Sequence, residues 1–206
     1  MKGVVIGVTG GVATGKSALA GLWRRAGAAY YSVDAAAHAL YAPGTGVTAA
    51  LAARFGPGIL GPDGAVNRPR LADSALRDGP SLRALDVIVH PPLARAAAAA
   101  LRRLAARHPA VVVEAGPLLF ALGLDRLCDR VVLVRCARAE RVRRLAASRA
   151  PGGVGTGRRL GVFGAAERRM ERAARGRRNL TVVRTDVPAP RLASLAAGFW
   201  RRAGGR

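Results

Sequence analysis

Gly10-Gly11-Val12-Ala13-Thr14-Gly15-Lys16-Ser17 is the stretch with the clearest chemistry. It fits G-x-x-x-x-G-K-[ST], a loop that wraps backbone N–H groups around phosphate oxygens. Glycines allow the tight bend, and the dipole of the helix that starts at Lys16 favours an anion at its N-terminus. Lys16 is placed to reach the β- and γ-phosphates, and the Ser17 hydroxyl to bind the Mg²⁺ that bridges them. The backbone of Gly11, Val12, Ala13, Thr14, Gly15, Lys16, Ser17 and Ala18 is the expected triphosphate cradle. Two carboxylates are candidates for further work: Asp34, at the end of an apolar run, and Glu114, at the end of another. Glu114 is a candidate for the Mg²⁺ hydration shell.

The elements that position these groups follow from hydrophobic pattern. Val4–Val8 reads as a buried strand and Ala18–Trp23 as a helix, the setting a phosphate loop needs. Residues 28–33 read as a second strand, with Asp34 at its C-terminal end and a helix over 35–40. Residues 109–114 give a third strand, 129–135 a fourth and 181–184 a fifth. Strands alternating with helices imply a parallel sheet with right-handed crossovers, with ligands beyond the carboxyl ends of the strands. The fold class expected is therefore α/β: a P-loop kinase-like three-layer α/β/α sandwich on a five-stranded parallel sheet.

Between the second and third strands the signals turn helical. Residues 68–77 and 81–89 read as helices, and Pro91-Pro92 reads as opening a further helix to about Arg107. Residues 137–149 read as a helix whose Arg138, Arg141 and Arg144 share a face, so that one or two can clamp phosphate charge. Residues 150–160 are glycine-rich and break the pattern, and 161–178 read as a basic helix. A terminal helix over 190–202 puts Leu192, Leu195, Ala196 and Phe199 on one face. The organisation expected is a nucleotide-binding core of 1–34, 108–149 and 179–206, a helical acceptor-side insertion of 35–107, and a lid of 150–178.

Composition narrows the class. The 206 residues suit one domain, and half of them are hydrophobic. No apolar run in the sequence approaches the roughly 20 residues of a membrane span, and no leader precedes the first strand, so a cytoplasmic protein without a membrane partner is expected. Cys128 and Cys136 read as buried thiols rather than a disulfide framework. The net charge of +22 is nearly all arginine, since Lys2 and Lys16 are the only lysines. Basic positions are scattered, only four phenylalanines are present and no RNA-stacking motif appears, so a nucleic-acid partner is not expected. No Asn-Lys-x-Asp guanine signature appears either.

The ordered landmarks resemble those of the dephospho-CoA kinase family over nearly the whole chain. They are residues 6–17 with the doubled glycine after Thr9, Val33-Asp34 followed by His38, Phe55-Gly56, Gly64–Arg68 with Leu71, Val89-His90-Pro91, Pro117-Leu118-Leu119-Phe120, and Arg144-Leu145. The resemblance implies transfer of the ATP γ-phosphate to the ribose 3′-hydroxyl of dephospho-CoA, with Mg²⁺, in a monomer or small homo-oligomer. It implies Asp34 as acceptor of the hydroxyl proton and Arg144 as a contact to ATP phosphates. It further implies His38, Arg68, His90, Pro117, Leu118 and Leu119 on the acceptor side. Departures from the family pattern are Ser32 for the first aspartate of Asp-x-Asp, Ala121 for a glutamate, Arg141 for a glutamine and Thr185-Asp186 for an asparagine. Another P-loop small-molecule kinase is the nearest alternative, and a nucleotide-dependent nucleic-acid-binding protein the one from a different class.

Overall fold

β-Branched runs make four of the five strands, and two tyrosines the other. Val4–Gly10 (β1), Ala29–Ser32 (β2), Ala110–Glu114 (β3), Arg130–Arg135 (β4) and Leu180–Arg184 (β5) pair in the order β2-β3-β1-β4-β5, every pairing parallel. The computed structural model describes residues 3–147 and 156–203, with the backbone alone over 156–163. The central strands are buried on both faces, which explains why β1, β3 and β4 read as continuous apolar runs. Strand order reverses at β1, whose neighbours β3 and β4 lie on opposite sides, so the loop after β1 opens at the topological switch point.

Nine α-helices are described. Lys16–Arg25 (α1) follows β1; Val33–Leu40 (α2), Gly46–Phe55 (α3), Arg68–Ala75 (α4) and Gly79–Arg107 (α5) separate β2 from β3; Leu118–Ala121 (α6) follows β3. Arg138–Ala147 (α7) and Thr156–Ala174 (α8) separate β4 from β5, and Ala189–Arg202 (α9) ends the chain. The chain divides into two compact units, residues 1–32 with 98–206, and residues 33–97.

In the first unit one face of the sheet (Ile6, Val8, Val112, Val132, Val134) packs on Leu19 and Trp23 of α1 and Phe199 and Trp200 of α9. Trp23 is the centre: its ring lies 5.1 Å from that of Phe199, and its Nε1 donates to the Ala196 carbonyl at 2.9 Å. Trp23→Ala is expected to cost about 3–5 kcal/mol, read as a lower urea midpoint with little change in slope. On the other face Gly7 leaves room for Leu119 and Cys128; a Cβ there would come within 2.8 Å of the Cys128 Sγ. Burial pushes the Cys128 thiol up to about 12, and Cys136 is half-buried. Leu133 of this face packs on Met170 and Ala174 of α8.

In the second unit, Asn67 caps α4 by accepting the Arg70 N–H at 3.2 Å, with Pro69 tolerated in the first turn. Thr45 caps α3 in the same way through Thr48 N–H at 3.1 Å. Val47, Leu51, Ile59, Val66 and Leu71 are among its buried side chains.

Several boundaries differ from the sequence reading. The helix after β2 begins at Val33 rather than Ala35, because Val33 is fully buried and its apolar side chain belongs to the helix. Asp34 is therefore a first-turn helical residue, where a carboxylate complements the helix dipole. The helices expected over 81–89 and from Pro91 are one helix of 29 residues, with Pro91 and Pro92 inside it. Each proline removes one intrahelical bond, and burial of Val89, Leu93, Ala97, Ala100 and Leu101 along the helix outweighs that local cost. Joining the pieces makes α5 long and apolar enough to cross a membrane by length and composition, a test that core helices of globular proteins also pass. Residues 156–160 are helical, so part of the expected glycine-rich break belongs to α8; residues 150–155 and Arg149 lie outside the described residues. In α9 Leu195 is exposed and Trp200 takes its place in the core, because the helix turns its Ala196–Trp200 face to the sheet.

Candidate functional site

The phosphate loop gets its shape from two left-handed residues. Gly15 sits at φ 86°, immediately before α1, where only glycine is unstrained. Ala13 sits at φ 59° and is the only non-glycine residue with positive φ among the described residues. A side chain held there costs on the order of 1 kcal/mol, so surrounding bonds must hold the loop. They are visible. Thr14 Oγ1 donates to the Gly11 carbonyl at 2.9 Å, and Lys16 Nζ to the same carbonyl at 2.8 Å. Thr9 Oγ1 donates to Gly116 O at 2.6 Å, tying the end of β1 to the loop after β3. Thr185, just past β5, donates its hydroxyl to the Thr14 carbonyl. Val12, Ala13, Gly15 and Lys16 are half-buried, while Ser17 and Ala18 are exposed.

Arg144 approaches the loop from α7. Its Nη1 lies 3.4 Å from the Ala13 carbonyl and 3.1 Å from Thr185 Oγ1, and its Nη2 donates to the Thr185 carbonyl at 2.7 Å. Its Nε donates to Glu140 Oε1 at 2.8 Å, one turn earlier on the same helix. Hydrogen bonds from Arg143 and then Arg144 hold the Glu140 carboxyl well below the usual range, to about 2. A depressed carboxylate keeps its interactions above its unfolded value and loses them only as pH falls toward about 2, so Glu140 stays charged beside Arg144 throughout neutral conditions. Arg141, three residues before Arg144 on α7, also reaches the loop: its Nε donates to the Val12 carbonyl at 2.7 Å.

Glu114 gathers the hydroxyls. Ser17 Oγ donates to its Oε1 at 2.6 Å and Tyr30 Oη to its Oε2 at 2.7 Å, and the carboxylate is buried. Burial of the phenol, then its bond to Glu114, push Tyr30 up to about 12, so it remains a donor. Ser17 and Glu114 together present hard oxygen donors, which suits Mg²⁺. Among the described residues no group of three or more His, Cys, Asp or Glu gathers as a metal cage. The residues present therefore fit an ion that takes one or two protein oxygens and keeps the rest from phosphate and water.

The residues expected on the acceptor side lie as follows. Asp34 is exposed in the first turn of α2, two residues past Ser32, whose register partner on β3 is Glu114. His38 is exposed four residues later on the same helix face. Arg68 is exposed at the start of α4. His90 lies inside α5 rather than ahead of a helix, its Nε2 3.3 Å from Asp86 Oδ1. Pro117 and Leu118 are half-buried at the start of α6, whereas Leu119 is fully buried against Gly7 and anchors that loop from beneath.

Sequence reasoning missed Tyr30, Glu140 and Glu167, and noted Thr185 only as a departure from the family pattern. Glu140 carried a signal, as the lone acid among arginines on α7, and Glu167 a weaker one, as one of two acids on the basic α8; Tyr30 and Thr185 act through fold contacts that no local pattern announces.

Known proteins match the chain in sequence and in fold. The family described as dephospho-CoA kinase matches residues 4–175. A dephospho-CoA kinase of Anaeromyxobacter dehalogenans is 44% identical over 131 residues, which are 63% of this chain and 62% of that relative's length. A dephospho-CoA kinase of Corynebacterium efficiens is 40% identical over 144 residues, 70% of this chain and 72% of the relative. Among solved structures, TT1252 of Thermus thermophilus superposes with a TM-score of 0.76 and 26% identity, covering 98% of each chain. Sequence and fold agree, and the chain belongs to the dephospho-CoA kinase family.

Proposed function

We propose the following division of labour for transfer of the ATP γ-phosphate to the ribose 3′-hydroxyl of dephospho-CoA, the reaction that yields coenzyme A and ADP. Such transfers depend mainly on positioning and neutralisation of charge. The loop Gly11–Ala18 cradles the phosphates through backbone N–H groups. Lys16 and Arg144 supply positive charge to the transferring group. Asp34 accepts the proton of the acceptor hydroxyl. Residues 35–107 form the acceptor side, with His38, Arg68 and His90 among them, joined by Pro117, Leu118 and Leu119 after β3. Residues 150–178 act as the lid.

Ser17 would hold Mg²⁺ through its hydroxyl and Glu114 would orient the ion's waters; the ion would supply positive charge to neutralise the phosphates. Tyr30 holds Glu114 in place for that role. Glu140 and Thr185 position Arg144 rather than touching substrate. The protein works in the cytoplasm as a monomer or small homo-oligomer.

One observation carries this reading. Two cationic side chains from different elements, Lys16 and Arg144, converge on carbonyls of a single strained phosphate loop. The test is turnover of ATP with Mg²⁺ and dephospho-CoA, adenosine, AMP or no acceptor, following ADP release and coenzyme A formation together. Stoichiometric ADP and coenzyme A with dephospho-CoA alone is the expected result. Turnover with adenosine or AMP instead would assign another small-molecule kinase activity.

A further inference from the structure

We infer that Glu167 is an internal competitor for the triphosphate and sets the affinity for ATP. This rests on the ATP reading above. Glu167 belongs to α8, yet its Oε1 accepts the Val12 N–H of the phosphate loop at 2.9 Å. The same oxygen accepts from Arg141 Nη2 at 2.6 Å, while Arg141 Nε donates to the Val12 carbonyl. The backbone N–H and C=O of Val12 are thus both taken by one ion pair, whose side chains are only 15% and 17% exposed. The approach is close enough to depend on Gly11: a Cβ there would come within 2.5 Å of the carboxylate. A second pair, Glu171 of α8 with Arg135 of β4 at 3.6 Å, and the burial of Met170 and Ala174 keep α8 over this part of the unit.

A loop built of inward N–H groups recognises anions, and here one of its N–H groups is already on an anion that the chain itself provides. ATP brings several more negative charges to the same loop. A carboxylate a few ångströms from them opposes binding, and the opposition is relieved only when Glu167 withdraws. Arg141 is shared: while it holds Glu167 its charge is neutralised, and once Glu167 leaves it becomes a third cation for the phosphates beside Lys16 and Arg144. The alternative is that Glu167 merely braces the loop. The two roles predict opposite signs for E167Q. The amide keeps an oxygen to accept from Val12 N–H and keeps the shape, but it removes the charge.

The experiment is equilibrium binding of ATP and of AMP to the full chain and to E167Q and E167D, with kcat and the KM of each substrate alongside. Removing one like charge at this range is expected to tighten ATP binding about fivefold at low salt, with a smaller change for AMP, which lacks the β- and γ-phosphates. The KM for ATP should fall and the KM for dephospho-CoA should stay. E167D, which draws the carboxylate back by one methylene, should tighten ATP in the same direction and covers the case in which E167Q folds poorly. Equal or weaker ATP binding by the variants overturns the competitor role and leaves a brace. Absence of ATP binding by the unaltered chain would overturn the nucleotide reading itself, a different failure and separately visible.

Discussion

Asp34→Asn is expected to lower kcat by about 10²–10⁴-fold, the usual value of general-base assistance, while the Kd for ATP stays where it was. Asparagine keeps size and one acceptor oxygen, so the first turn of α2 (Val33–Leu40) should remain intact. Asp34 is exposed there and belongs to a different compact unit from the phosphate loop, so losing its charge should not reshape the loop. A loss in kcat with no loss in ATP affinity is the pattern of an interaction made mainly in the transition state. Single-turnover kinetics at saturating ATP and dephospho-CoA would measure it. Unchanged turnover would remove Asp34 from the chemistry and leave it as a helix-dipole residue.

Lys16→Ala should be comparably severe, by about 10²–10³-fold in kcat, the range seen when one preorganised charge-stabilising group is removed. Here affinity for ATP should fall as well, because the ammonium that now bonds Gly11 O would contact the phosphates in the ground state too, though less strongly than in the transition state. The variant also withdraws a bond from the loop that holds Ala13 at positive φ. Circular dichroism and a thermal midpoint close to the parent would assign the loss to chemistry. A large drop in the midpoint would instead give Lys16 a share in folding the loop. Comparing the two variants separates the roles: Asp34→Asn should spare ATP binding and Lys16→Ala should not.

What can be read in advance follows physical locality. The strand–loop–helix unit around residues 4–25 is plain because phosphate binding needs glycine, lysine and a hydroxyl at fixed spacing, and buried parallel strands are continuous apolar runs. The end of the second strand is harder to place, since Val33 is apolar in either state and only its burial in α2 decides. Pro91-Pro92 misleads for a related reason: proline ends an isolated helix, but tertiary burial along α5 overrides it. At the site, Lys16, Ser17, Arg144 and Glu114 are legible as types at strand ends and helix faces. The Arg141–Glu167 pair spans 26 residues, and the Thr185–Thr14 bond 171, and nothing local encodes such partners. Family resemblance supplies the acceptor-side residues, and the fold places Asp34, His38 and Arg68 on exposed helical positions without by itself assigning their work.

The loop residue Ala13, strained and yet fixed, has a consequence for the thermodynamics of recognition. Its neighbours are pinned by Thr14, Thr185 and Arg144. The conformational entropy of ordering these residues is therefore lost when the chain folds, not when nucleotide arrives. Calorimetry of ATP association should accordingly show a small entropic penalty from the loop itself.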